Sequence, residues 1–104
     1  MGKNRVMKSL GKNAGNLAVH KLLFKKTHLP HSAGHLTAEI IEYRDNAVEI
    51  SREFNWNDND KKKIWEMAVK TFHKRMKSKY SDVKFSDEEA EESVNEAMRD
   101  IFSS

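Results

Sequence analysis

The chain has 104 residues, the size of one ordinary domain, and carries 34% charged residues with a net charge of +3. The absence of cysteine excludes disulfides and thiolate metal sites. Leu, Ile, Val and Phe supply only 22 residues, just above the roughly 20% level below which chains tend to stay disordered. A thin core is therefore expected.

In chain order, Gly11, Gly15 and the scattered Asn4, Asn13 and Asn16 mark residues 1–13 as a flexible basic N-terminal arm, ahead of one helical domain over 14–104. A short first helix is expected over about 15–27, carrying Leu17, Val19, Leu22, Leu23 and Phe24. Leu29, which precedes Pro30, ends it. This apolar stretch is interrupted by His20 and Lys21 and is too short and polar for a membrane span or a signal-peptide core.

The most regular pattern follows. Leu36, Ile40, Tyr43, Ala47, Ile50 and Phe54 recur every three or four residues and share one stripe of a helix over about 33–54. Ile41 and Val48 add a second apolar face, so this helix is expected at the centre of the fold. A third helix starts from Asn57 as N-cap, with Asp58 and Asp60 in its first turn. Its stripe is Ile64, Trp65, Ala68, Val69, Phe72 and Met76. Trp56 is expected to pack on the junction ahead of it. Ser86 and Glu89 form a capping box that opens a fourth helix carrying Ala90, Val94, Ala97, Met98, Ile101 and Phe102. The short loop 81–85 makes the third and fourth helices antiparallel neighbours. No run combines period-two alternation with β-branched enrichment, so no sheet is expected. The expected class is all-α: a small helical array or bundle of three main helices plus a short N-terminal helix.

Charge is the strongest functional signal. Residues 1–38 hold seven cations (Lys3, Arg5, Lys8, Lys12, Lys21, Lys25 and Lys26) and no acid, whereas 39–104 hold twelve cations and sixteen acids. An acid-free cationic segment binds phosphates because each one neutralised releases condensed counterions. Lys74, Arg75, Lys77 and Lys79 form a second basic patch at the end of the third helix, although the acidic fourth helix alongside could neutralise it. These eleven cations are the candidate nucleic-acid-binding residues. A solvated tail explains the same N-terminal lysines.

The histidines raise a metal reading. His31, His35 and Glu39 lie at successive helical turns, a spacing that suits Zn²⁺ or another transition metal, with His28 and His20 upstream. Pro30 and Gly34 disturb the local backbone, and a surface or capping role is the expected one. Asn55, Asn57, Asn59 and Glu66 overlay a calcium-loop template, but amides replace its acids and Lys61 to Lys63 sit inside it; helix capping accounts for these residues. No nucleophile–base set and no phosphate-cradling glycine loop is present. The chain thus reads as a non-catalytic, cofactor-free protein. Its expected partner is RNA or DNA held by the phosphate backbone, with no membrane, and it is expected in the cytoplasm or associated with the nucleoid or nucleus. A helical protein–protein adaptor or assembly subunit, possibly homodimeric, is the alternative.

Overall fold

The computed structural model describes residues 2–26 and 30–103. Four helices account for most of them: α1 (Lys3–Lys26), α2 (Pro30–Ser51), α3 (Asp58–Lys79) and α4 (Asp87–Phe102). No strand occurs among the described residues, and the all-α expectation holds. No helix among them is long and apolar enough to cross a membrane.

The N-terminus departs from expectation. Residues 3–13, expected as an arm, form the first half of a 24-residue helix that buries Val6, Met7 and Leu10. The short first helix expected over 15–27 falls on the second half of the same element, which is described as far as Lys26. The glycines misled because Gly ordinarily weakens a helix interior. Here they let two helices approach. A Cβ on Gly11 would lie 2.6 Å from the Met67 Cβ, and one on Gly15 would lie 2.5 Å from the Thr71 Cβ and 2.8 Å from the Ala68 carbonyl oxygen. Neither glycine has a positive φ, so closeness rather than backbone freedom requires them.

α1, not α2, is the centre of the fold. It packs against each of the other three helices, whereas α2 and α3 share no packed face among the described residues. Contacts fix the directions. Gly11 meets Met67 and Gly15 meets Thr71, a constant offset that makes α1 and α3 parallel. Lys21, Lys25 and Lys26 pair with Asp100, Glu96 and Glu89, so α4 runs antiparallel to α1. α2 is also antiparallel to α1, with His20 against Glu39 and Tyr43 at one end and Val6 near Ile50 at the other. Going around α1, the neighbours are α2, α4 and α3, with an open slot between α2 and α3.

The start signals of α3 and α4 are in place. The Asn57 Oδ1 accepts from the Asp60 N–H at 2.8 Å and the Ser86 Oγ from the Glu89 N–H at 3.1 Å, and each box is closed by the return bond. Both boxes also hold α1. Lys3 pairs with Asp60 at 2.8 Å and Lys26 with Glu89 at 2.8 Å, so the two ends of α1 are pinned to the first turns of α3 and α4. The Lys3 ammonium holds the Asp60 carboxyl below its ordinary value, helped by the Asn57 N–H. Lys26, then the Ser86 N–H, does the same for Glu89.

The core is a layer of small and medium residues around α1. Leu10, Ala14, Leu17 and Ala18 meet Ile64, Ala68, Phe72 and Met76 of α3 and Ala90, Val94, Ala97 and Ile101 of α4. Among the described residues of α2, Ala47 alone is fully buried; Leu36, Ile40, Tyr43 and Ile50 are only half-buried. Trp56 packs at the α2–α3 junction and donates to the Ser51 carbonyl at 2.7 Å, while Trp65 donates to the Asn95 Oδ1 at 2.8 Å and ties α3 to α4. The radius of gyration, 13.4 Å, is that of a compact chain of this length.

Candidate functional site

The eleven candidate cations divide into two groups. Lys3, Lys21, Lys25 and Lys26 are engaged with Asp60, Asp100, Glu96 and Glu89. Lys3 is held most completely: its ammonium also donates to the Asn55 carbonyl at 3.0 Å and lies over the Trp56 ring. These four link α1 to its neighbours. Arg5, Lys8, Lys12, Lys74, Arg75, Lys77 and Lys79 make no ion pair among the described residues.

Helix geometry explains most of the division, the exception being Lys26, which shares a face with Lys8 but stands at the end of α1 beside Glu89 in the first turn of α4. At 3.6 residues per turn, Arg5, Lys12 and Asn16 fall on the side of α1 opposite Lys21 and Lys25. The latter side faces α4 and takes up its acids. The former faces the slot between α2 and α3, which no carboxylate of α4 reaches. The basic residues of α1 that remain are therefore exposed for a topological reason: no fifth helix fills that slot.

Two grooves lie along the slot. Near the start of α1, Arg5, Val6 and Ser9 face Ile50 and Glu53. Farther along, Lys12 and Asn16 of α1 meet Thr71, Lys74, Arg75 and Ser78 of α3 around a pocket of about 270 Å³. Three cations, two hydroxyls and an amide line this second groove, with no carboxylate. Like charges brought together this way cost folding free energy unless an anion joins them. The groove also has unused polar capacity: the Asn16 Oδ1 and the Arg75 Nε are buried without a hydrogen-bond partner. A buried unpaired donor or acceptor costs about 1–3 kcal/mol. Lys77 and Lys79 are exposed on the last turns of α3 and extend the positive surface beyond the groove. Among the described residues no ion pair joins this patch to α4, whose Glu89, Glu96 and Asp100 pair with α1 instead.

Of the histidine cluster, only part is described. His28 lies outside the described residues, and for His31 only the backbone, in α2, is described. Glu39 stands between His35, 3.2 Å away, and His20. His20 is buried, and its Nδ1 donates to the Asn16 carbonyl at 2.8 Å while its Nε2 meets the Glu39 Oε2. Both ring nitrogens are thus occupied, and Tyr43 stacks at 5.1 Å. No group of three or more His, Asp or Glu among the described residues is placed to hold a metal ion. His20 closes the slot at its inner end and joins α1 to α2.

Thr71 and Ser78 carry no functional signal in the sequence, whereas Asn16 belongs to the polar residues of the basic N-terminal segment that can hydrogen-bond phosphates or base edges. Thr71 and Ser78 flank Lys74 and Arg75 at helical spacing, but nothing local shows that they face α1. No protein-family model, curated protein or solved structure matches this chain.

Proposed function

We propose that this chain is a non-catalytic nucleic-acid-binding protein that holds the phosphate backbone on the face formed by Arg5, Lys8 and Lys12 of α1 and Lys74, Arg75, Lys77 and Lys79 of α3. The observation that carries the reading is the division of the cations: those turned to α4 are neutralised, whereas those along the slot are not. Ordered helices present this face, so no disordered arm needs to be fixed on binding. That lowers the entropy lost in the complex.

The test is binding to fluorescent single- and double-stranded RNA and DNA across a salt series. For duplex DNA, the logarithmic slope reads about 0.9 per phosphate neutralised. Arg5→Gln with Lys8→Gln should weaken binding and flatten the slope, whereas Lys25→Gln should leave both unchanged. No salt-dependent binding to any of the four polymers defeats the proposal. Deleting residues 1–13 is not a usable control, because it would strip Val6, Met7 and Leu10 from the core.

A second reading, a helical adaptor or homodimer, is favoured by one observation. Ile41 on the outer face of α2 and Phe24 near the end of α1 are 52% and 44% exposed. Sedimentation that shows a monomer over the whole accessible concentration range would remove the homodimer.

A further inference from the structure

We infer that the groove of Lys12, Asn16, Thr71, Lys74, Arg75 and Ser78 is a discrete pocket for a phosphomonoester on a sugar, such as the terminal phosphate of a polynucleotide. This rests on the phosphate-binding reading above and narrows it from a face to a site. Three features of the groove separate it from the rest of the basic surface.

The first is charge. Three cations and no carboxylate line a pocket of about 270 Å³. An internal phosphodiester brings one negative charge and two free oxygens to such a wall. A phosphomonoester brings about −1.5 to −2 and three strong acceptor oxygens at pH 7. The doubly charged group is the better match to three converging cations.

The second is the hydrogen-bonding inventory. Thr71 and Ser78 stand beside the cations, on the same side of α3 as Lys74 and Arg75, and the Ser78 hydroxyl, which donates to the Arg75 carbonyl at 3.3 Å, can turn to an anion instead. The Arg75 Nε needs an acceptor and the Asn16 Oδ1 needs a donor. Both atoms lie beneath the groove surface, so a phosphate and an adjacent sugar hydroxyl satisfy them once the Asn16 and Arg75 side chains turn outward. Binding draws the half-buried Arg75 guanidinium out toward the phosphate, which converts an unsatisfied donor into a charge-assisted bond.

The third is rigidity. One wall is α1 and the other α3, and they are locked at close approach by Gly11 and Gly15 at the level of the groove. The span between Lys12 and Lys74 is therefore set by backbone contact rather than by side-chain choice. A preformed groove favours a small, compact anion over a long polymer lying across the surface.

The experiment uses the full chain and oligonucleotides of one sequence ending in a 5′-phosphate, a 3′-phosphate or hydroxyls only. Adenosine monophosphate and adenosine serve as small probes. A phosphorylated end should bind about tenfold more tightly than the hydroxyl-ended strand, the effect of one added charge-assisted hydrogen bond. That gain should vanish in Arg75→Gln and in Lys12→Gln and persist in Arg5→Gln, with melting curves showing that each variant is folded. If adenosine monophosphate, but not adenosine, raises the melting temperature while no polynucleotide binds, the pocket is upheld with a free nucleotide as its source, and the nucleic-acid reading falls. Equal affinity for phosphorylated and hydroxyl ends, with salt-dependent binding intact, overturns the pocket and leaves the basic face. An Arg75→Gln variant that weakens both ends alike overturns it too. Absence of binding by every probe overturns both.

Discussion

Replacing Gly15 with Ala is the sharpest test of the packing that builds the groove. In an exposed helix the change is favourable by up to about 1 kcal/mol, because Ala restricts the unfolded chain and suits the helix. At position 15 the added Cβ meets the Thr71 Cβ at 2.5 Å, its Cγ2 at 2.7 Å and the Ala68 oxygen at 2.8 Å. Apolar carbons rest at about 3.5–4.0 Å, so the overlap is about 1 Å. Two of the three atoms cannot turn away, since one is backbone and the other is fixed to it. α1 and α3 must separate, and Leu10, Ala14 and Ala18 lose contact with Ala68 and Phe72. Overpacking of this kind costs about 1–3 kcal/mol, and rigid obstacles put it at the upper end. After the propensity gain the net loss is about 2 kcal/mol, a fall in melting temperature of roughly 10 °C for a chain of this size. Gly34→Ala is the control: nothing lies within 4 Å of its added Cβ, and it should raise the melting temperature. Gly11→Ala should fall between the two: the Met67 Cβ at 2.6 Å is as fixed as that of Thr71, but its other obstacles, the Met67 Sδ and Cγ, can turn away and no backbone atom is among them. Calorimetry or urea titration of the three variants decides the matter. A Gly15→Ala protein as stable as its parent, or shifted in the same direction as Gly34→Ala, would refute the close approach.

Two further outcomes follow from the contacts of α1. Asp60 and Glu89 both titrate below their ordinary values of 3.8 and 4.5, so their ion pairs with Lys3 and Lys26 contribute stability above those values and lose it as pH falls further. Acid titration followed by amide exchange should show the first turns of α3 and α4 opening before their centres, and Lys3→Met should abolish the effect at α3 only. His20 and His35 approach the same carboxylate but differ in burial, with side chains 2% and 74% exposed. His20→Ala should cost about 2 kcal/mol in a urea titration, by leaving polar partners unpaired inside the fold, whereas His35→Ala should change stability by less than about 0.5 kcal/mol.

The legible parts of the fold were those fixed over three or four residues. Asn57 with Asp60 and Ser86 with Glu89 are local patterns, and the structure realises both boxes as read. The stripes of α3 and α4 were equally plain. The stripe of α2 told which side turns inward but not how deeply, because α2 has no contact with α3 among the described residues to complete its burial. α1 was unreadable for a different reason. Its glycines and asparagines carry the composition of a loop, and their partners Met67, Ala68 and Thr71 lie more than fifty residues away. Among the cations, the excess was visible and its division was not. Only the antiparallel course of α4 determines that Lys21, Lys25 and Lys26 find acids while Lys12 does not. Thr71 and Ser78 were invisible for the same reason.

That division makes a demand that net charge alone does not. Glu53→Gln and Glu96→Gln each make the chain more positive by one unit, so a protein that attracts polyanions through its overall charge should respond equally to both. The two acids stand in different places. Glu53 is the sole carboxylate lining the groove of Arg5, whereas Glu96 pairs with Lys25 on the α4 side of α1. The molecule is 24 Å across its middle axis, and the screening length at 0.1 M salt is about 10 Å, so a charge on the far side is largely hidden from a ligand in the slot. A unit charge about 7 Å from a phosphate in water is worth about 0.6 kcal/mol, or nearly threefold in affinity. At 0.1 M salt, where screening over that distance roughly halves the energy, Glu53→Gln should tighten polynucleotide binding about 1.6-fold and Glu96→Gln should barely alter it. Equal gains from the two substitutions would mean that the whole chain, and not the face between α2 and α3, attracts the nucleic acid.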